Sequence, residues 1–245
     1  MPFVYEYPRP AVCVDCVIFG WERPTRGRLT KVDVLLIRRG RPPFEGTWAL
    51  PGGFVEIEEP LLDAAFRELY EETAIRPKSL ELAGVYGAPG RDPRGRTISI
   101  VYRGLIWKDE HTVLNGDDAS QAGWFSLGQL PPLAFDHDQI IADVWQGLQH
   151  CASTQPFGRE ILPAVFSWHE LRSLYEAILG ASFSPRRLKS FLVKVGLLKP
   201  AENAGPQEKP AGKQAKGGLF QFDEAIYQEL TKTGFSPFLC GKRCD

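Results

Sequence analysis

The sequence predicts an α/β fold followed by a winged helix-turn-helix domain, and three observations lead to this prediction. Segments rich in β-branched and apolar residues, typical of strands, lie on both sides of a helical pattern over residues 60–73. A second helical pattern over residues 138–148 follows the last of these strands. Beyond residue 163, two capped helices precede two short strands, which is the order of a winged helix. The predicted organisation is a first domain over 1–152, a linker over 153–163, a winged-helix domain over 164–234 with a long basic wing over 199–218, and a tail over 235–245.

Composition places the chain among globular proteins. It has 245 residues, of which 43% are hydrophobic and 24% charged. Since no apolar run reaches 18 residues and the N-terminus lacks a signal-peptide pattern, we expect a cytoplasmic protein that does not enter a membrane.

Among the five cysteines, Cys13 and Cys16 lie three apart in a predicted strand and so point to opposite faces. That spacing argues against a zinc or redox pair.

The predicted strands of the first domain follow from short apolar runs bounded by turn residues. We expect the loop over 21–28 to join the strands over 11–19 and 31–37. We also expect the strand over 122–127 to pair with the strand over 97–107. The helix over 138–148 should turn Ile140, Ile141, Val144 and Leu148 inward. The predicted strands cover residues 11–19, 31–37, 80–86, 97–107 and 122–127.

The helix over 60–73 has two distinct sides. Its apolar stripe is predicted to consist of Leu62, Phe66, Leu69 and Thr73. Three carboxylates, from Glu68, Glu71 and Glu72, share a different side and repel one another. A divalent cation among them would remove this repulsion, and oxygen ligands suit Mg²⁺ or Mn²⁺. The alternative is a solvated acidic face, but the joint spacing of five charged residues after Gly53 favours the metal site.

This stretch resembles the Nudix box, the signature of the Nudix hydrolases. The matching residues are Gly53, Glu59, Arg67, Glu68, Leu69, Glu71, Glu72 and Ile75, while Ala74 stands where the family has Gly. That Gly often ends the helix in a left-handed conformation, which costs other residues about 1 kcal/mol.

The resemblance implies an α/β/α sandwich with a mixed sheet and hydrolysis of a diphosphate linked to another moiety. It implies metal ligation by Glu68, Glu71 and Glu72, with a carbonyl contribution from Gly53. It also implies that Arg67 steadies a carboxylate, so the residues expected to serve catalysis are Glu71, Glu72 and Arg67.

Several basic residues outside the box are candidates for substrate binding. Arg38 and Arg39 either form a basic turn or contact phosphate, because in the family this loop borders the substrate. The loop over 87–96 is either a salt-bridged turn or a diphosphate clamp, and it resembles the loop of Nudix proteins that handle ADP-ribose. Its candidate residues are Arg91, Asp92 and Arg94.

The segment from Asp136 to Asp138 precedes the second helix. Its carboxylates are either ordinary helix caps or, in one case, the group that assists the attacking water. His137, between them, is a further candidate for substrate contact.

The C-terminal region carries the signals of two short helices. Ser167 and Glu170 form a capping box, and Ser184 with Pro185 begins the next helix. Residues 153–245 hold 13 Lys and Arg against 9 Asp and Glu, whereas residues 1–152 hold 16 against 21. The segment over 161–196 resembles the winged helix of NrtR-type Nudix-related regulators of NAD metabolism. The basic side of the second helix is either a solvated surface or a DNA-binding face. The candidate DNA-binding residues are Arg186, Arg187, Lys189 and Lys194.

Two functions are therefore expected, with a third class open. The first is a Mg²⁺-dependent (or Mn²⁺-dependent) hydrolase that cleaves ADP-ribose or a related nucleoside diphosphate derivative to AMP and ribose 5-phosphate. The second is an NrtR-type transcriptional regulator that binds duplex DNA and uses ADP-ribose as a ligand. The third is an interaction module built on the winged helix. The intact box carboxylates favour the enzyme, and a homodimer is expected.

Overall fold

The computed structural model describes residues 6–23, 31–113, 119–180, 184–201 and 218–234. The chain divides into two compact units, and each is described by itself. The first takes in residues 1–21 and 32–145, and the second takes in residues 22–31 and 146–245. Within the described ranges, no helix is long and apolar enough to cross a membrane.

A seven-stranded mixed sheet forms the centre of the first unit. Its strand order is β3-β2-β1-β6-β5, with β4 paired to β1 and β7 paired to β2. The pair β1–β6 is parallel and the other pairs are antiparallel. The strands are β1 (Ala11–Trp21), β2 (Val32–Arg39), β3 (Trp48–Ala49), β4 (Gly52–Phe54), β5 (Glu81–Tyr86), β6 (Thr97–Trp107) and β7 (Ala119–Ser126).

The expected pairing of the strand over 122–127 with β6 is wrong. Strand β7 instead pairs with β2, through contacts such as Leu35 with Trp124. The physical reason is that both edges of β6 are already taken. Strand β1 pairs with β6 in parallel along eleven residues, and β5 occupies the other edge of β6.

Two helices cover opposite faces of this sheet. Helix α1, Leu61–Thr73, packs against the even-numbered β1 side chains through a core that includes Cys16 and Leu69. Helix α2, His137–Thr154, faces the odd-numbered ones, since Trp145 contacts the ring of Phe19 with centroids 5.2 Å apart. The expected sandwich with a mixed sheet is therefore confirmed. The predicted inward residues of α2, namely Ile140, Ile141, Val144 and Leu148, are all buried.

The predicted apolar stripe of α1 is wrong at one position. Leu62, in the first turn, keeps 40% of its surface exposed. Ala64 and Ala65 are fully buried instead, and Phe66 packs against the core from a half-buried position. The side chains of Ala64 and Ala65, and not that of Leu62, therefore pack in the core.

The second unit contains a three-stranded antiparallel sheet and short helices in the arrangement expected of a winged domain. The sheet order is β8-β10-β9. As predicted, Ser167 and Glu170 form a capping box at α3, and Ser184 caps α4 with Pro185 at its first position. The elements are β8 (Phe166–Ser167), α3 (Trp168–Leu179), α4 (Pro185–Lys194), β9 (Leu198–Pro200), β10 (Leu219–Phe222) and α5 (Glu224–Thr233).

Some of the second unit is not anticipated by the sequence. Strand β8 and helix α5 are additions, and α5 is capped by Asp223, whose side chain accepts a hydrogen bond from the Ile226 N–H. Phe157, Ile161 and Leu162, from the predicted linker, are buried. The predicted domain limits stay a prediction. Most of the predicted wing and the tail, residues 202–217 and 235–245, lie outside the described residues.

Candidate active site

A cavity of about 550 Å³ opens in the first unit beside β1, within the size range of small-molecule sites. Residues of β1, the end of β2, the segment over 50–56, α1, the loop over 91–94 and residues 135–137 form its wall. The cavity therefore draws together segments that lie far apart along the chain.

Two glycines let the backbone approach the helix carboxylates closely. A Cβ atom on Gly52 would lie 2.1 Å from the Val14 carbonyl oxygen. A Cβ atom on Gly53 would lie 2.4 Å from the carboxyl carbon of Glu68. Both distances are far inside van der Waals contact, so any other residue would displace either β1 or Glu68.

Two of the three carboxylates predicted to bind metal, those of Glu68 and Glu72, line the cavity. The Gly52 N–H donates to Oε2 of Glu72 at 2.9 Å. Burial, with a smaller contribution from nearby Glu68, raises the pKa of Glu72 to about 8. Burial also raises the pKa of Glu68, although Arg67 opposes this. Such desolvated, crowded carboxylate oxygens fit a hard divalent cation, whose charge would offset their repulsion.

Glu71 differs from the other two carboxylates. Its side chain is 57% exposed and does not line the cavity. Across the part of the chain that the structure describes, no three His, Cys, Asp or Glu residues are grouped so as to hold a metal. Metal ligation by the full set, Gly53 included, stays a prediction.

Arg67 organises the acidic residues of the box. Its Nε and Nη2 atoms donate to the two carboxylate oxygens of Glu59 at 2.6 and 2.7 Å. Its Nη1 atom donates to Glu68 at 2.7 Å and to Glu71 at 3.3 Å. The hydrogen bonds with Glu59 are the largest cause of the raised pKa of Arg67. Arg67 thus holds Glu68 at the cavity wall while remaining cationic.

Two of the arginines that line the cavity, Arg39 and Arg94, bring positive charge to it. Arg39 lies over the ring of Phe135 at 4.9 Å, and Arg94 lies over the ring of Phe54 at 5.0 Å. Burial, followed by the charge of Arg94, lowers the pKa of Arg39. An anionic ligand between them would relieve this repulsion. Arg38 is placed elsewhere, because its Nε donates to the Gly46 carbonyl and it is not a lining residue.

The arginine-rich loop is largely occupied by its own ion pairs. Asp92 is buried and accepts hydrogen bonds from the Arg94 guanidinium and backbone N–H. Arg91 is only 4% exposed and donates to both carboxylate oxygens of Asp136 at 2.6 and 3.0 Å. The carboxylate of Asp136, just before α2, therefore pairs with Arg91. Arg94, 44% exposed, keeps a more accessible guanidinium than Arg91, and the substrate roles stay predictions.

His137 lies buried at the start of α2. Its Nδ1 atom accepts a hydrogen bond from the Leu50 N–H at 2.9 Å, and its Nε2 atom lies 3.6 Å from Oδ1 of Asp15. Burial lowers the pKa of His137, which favours the neutral imidazole. Ser99 donates to the other oxygen of Asp15. Asp15 is a site residue that sequence reasoning missed, although a single acid within an apolar strand was the available signal.

The predicted DNA-binding residues differ in their exposure. Arg186, Arg187 and Lys194 are exposed on α4. The ammonium group of Lys189 instead lies over the rings of Phe220 at 4.9 Å and Trp168 at 5.6 Å. Lys189 therefore packs against aromatic rings of the second unit.

Comparison with known proteins defines the class of this chain. The family model described as the NUDIX domain matches residues 10–144, which include every segment that lines the cavity. The chain belongs to the Nudix family.

Its relatives include an enzyme and a regulator. The chain is 47% identical over 137 residues to the ADP-ribose pyrophosphatase of Methanocaldococcus jannaschii, covering 56% of this chain and 74% of that protein. It is 31% identical over 214 residues to the ADPR responsive transcriptional repressor NtrR of Acinetobacter baylyi, covering 85% and 81% respectively. Among solved structures, Shewanella oneidensis NrtR complexed with a 27mer DNA superimposes with a TM-score of 0.69 at 26% identity, covering 89% of this chain and 95% of that one.

Proposed function

We propose that this protein hydrolyses the diphosphate of ADP-ribose, or of a related nucleoside diphosphate derivative, to AMP and ribose 5-phosphate with Mg²⁺ or Mn²⁺. The observation that carries the proposal is the placement of Glu68 and Glu72, desolvated against the Gly52–Gly53 backbone at the cavity wall. The similarity to the archaeal ADP-ribose pyrophosphatase supports the choice of substrate.

The residues of the chain would divide the work between metal and substrate. A bound Mg²⁺ supplies charge neutralisation of the diphosphate and activation of a water. Glu68 and Glu72 would hold the metal, and Arg67 keeps Glu68 in position. Arg39 and Arg94 present positive charge to the diphosphate, which guanidinium groups can bind through two parallel hydrogen bonds.

The hydrolase proposal is tested by incubating the purified protein with ADP-ribose and Mg²⁺ and resolving AMP by chromatography. Glu72→Gln should lower kcat by about 100-fold, because it removes one charged ligand. Glu58→Gln is the matched control, since Glu58 is exposed and outside the cavity. Wild-type protein that turns over neither ADP-ribose nor a panel of related nucleotides would overturn the proposal.

We propose regulation of transcription as the second candidate function. It is favoured by the exposed Arg186, Arg187 and Lys194 on α4 and by similarity to a repressor along most of the chain. Phosphate contacts by these residues would give sequence-independent affinity for duplex DNA. A homodimer, which would present two such helices, remains a prediction that sedimentation analysis checks.

Fluorescence anisotropy with duplex genomic fragments at two salt concentrations tests the regulator. Arg186→Ala should reduce the slope of log K against log salt by about 0.9 if its guanidinium contacts one phosphate. Arg172→Ala is the control, because Arg172 is an exposed α3 arginine that pairs with Glu176. ADP-ribose should shift the affinity by about 1–3 kcal/mol if the ligand and DNA are coupled. Absence of binding at low salt would overturn this second function.

A further inference from the structure

Two backbone hydrogen bonds of the segment over 50–52 connect the start of α2 to a carboxylate of α1. The imidazole of His137 accepts the Leu50 N–H at 2.9 Å, and Leu50 is only 2% exposed, so water does not replace this acceptor. Two residues further on, Gly52 donates its N–H to Glu72 at 2.9 Å. The segment over 50–52 is therefore hydrogen-bonded to His137 through the Leu50 N–H and to Glu72 through the Gly52 N–H.

The geometry requires one tautomer of His137. Because Nδ1 accepts a hydrogen bond, the proton of the neutral ring is on Nε2, the atom that faces Asp15. Asp15 lies opposite Gly52 in the β1–β4 ladder, and the Ser99 hydroxyl donates to it. Protonation of Nδ1 would turn the acceptor into a donor aimed at another donor. The charged groups near the ring are Asp15 from β1, Arg39 from β2, Arg91 from the loop before β6 and Asp136 beside α2.

We propose that His137 is a positioning residue for metal binding, whose neutral imidazole fixes the 50–52 segment so that Gly52 holds Glu72 at the cavity wall. The proposal rests on the hydrolase function proposed above. A buried N–H without an acceptor is strongly unfavourable, so loss of the imidazole would shift the segment toward another partner. Gly52 would move with it, and Glu72 would lose its hydrogen bond from the Gly52 N–H.

Three substitutions at this position separate positioning from simple packing. In His137→Asn, an amide oxygen on Cγ takes the place of Nδ1 and can accept the Leu50 N–H. In His137→Gln, the amide lies one carbon further out, near the place of Nε2. His137→Leu keeps an apolar side chain of similar reach and offers no acceptor. The measured quantity is the dissociation constant of Mn²⁺, read from the electron paramagnetic resonance of free Mn²⁺, which requires no catalysis.

We expect His137→Leu and His137→Gln to weaken Mn²⁺ binding about tenfold, the usual scale for a residue that orients a metal ligand, and His137→Asn to restore it. All variants are measured below their unfolding transitions, as followed by circular dichroism. Equal Mn²⁺ constants for all four proteins would assign His137 a purely structural role and overturn the proposal. Rescue by Gln as complete as rescue by Asn would overturn it as well. If wild-type protein binds Mn²⁺ but hydrolyses neither ADP-ribose nor the panel of related nucleotides, the hydrolase function fails, while the Mn²⁺ constants still decide the positioning role.

Discussion

Ala74 ends helix α1 in a conformation that suits glycine, so replacing it should stabilise the protein. Its φ is 60° and its ψ is 14°, and its N–H donates to the Tyr70 carbonyl at 2.8 Å. An L-residue in this left-handed region costs about 1–2 kcal/mol, because Cβ approaches the following carbonyl. Ala74→Gly removes that strain and leaves the hydrogen bond intact.

Two smaller effects oppose this gain. Glycine has more freedom in the unfolded chain, which costs about 0.4–1 kcal/mol on folding. The half-buried methyl group of Ala74 contributes about 0.4 kcal/mol, half the value of a fully buried methylene. The expected net stabilisation is therefore about 0.5 kcal/mol, or a rise in Tm of about 1–2 °C for a chain of this size.

Differential scanning calorimetry of the full chain measures this change, with Ala142→Gly as the matched control. Ala142 is exposed within α2, where the same substitution should cost about 1 kcal/mol. The two variants should thus shift the unfolding temperature in opposite directions. If Ala74→Gly destabilises the protein as much as Ala142→Gly does, residue 74 does not hold the left-handed conformation in solution.

Three further predictions concern the cavity and α4. Gly53→Ala should weaken Mn²⁺ binding about tenfold, because its Cβ would lie 2.4 Å from the Glu68 carboxyl carbon; unchanged affinity in a Mn²⁺ titration would contradict this. Burial lowers the folded-state pKa of His137, so the unfolded state takes up that proton first and the contribution of His137 to the free energy of unfolding should fall as pH drops from about 7 to 5, whereas the raised pKa of Glu72 acts in the opposite direction. The free energy of unfolding, from urea titrations, should therefore change less favourably between pH 7 and pH 5 in the wild type than in His137→Asn, and an identical change in both proteins would refute the assignment. Lys189→Ala should lower Tm, through loss of about 0.5–1 kcal/mol of contact with the Phe220 and Trp168 rings, yet leave the salt slope of DNA binding unchanged.

The features that the sequence alone determined are those governed by neighbours along the chain. Helix α1 follows from a period of 3.6 residues, and the capping box of α3 needs only Ser167 and Glu170 on one turn. The left-handed end of α1 was foreseeable in the same way, since Ala74 stands at the position that closes the helix. Such features need no distant partner, so spacing and side-chain chemistry are sufficient to predict them.

Tertiary structure decided the features that depend on distant segments. Which edge β7 takes depends on the occupancy of β6 by two other strands, a fact that no local pattern contains. Burial of Glu72 but exposure of Glu71 depends on where the Gly52 backbone passes. The tautomer of His137 depends on Leu50, 87 positions away in the chain. Periodicity places a side chain on a face of its helix, but only packing determines which donor, charge or strand lies opposite that face.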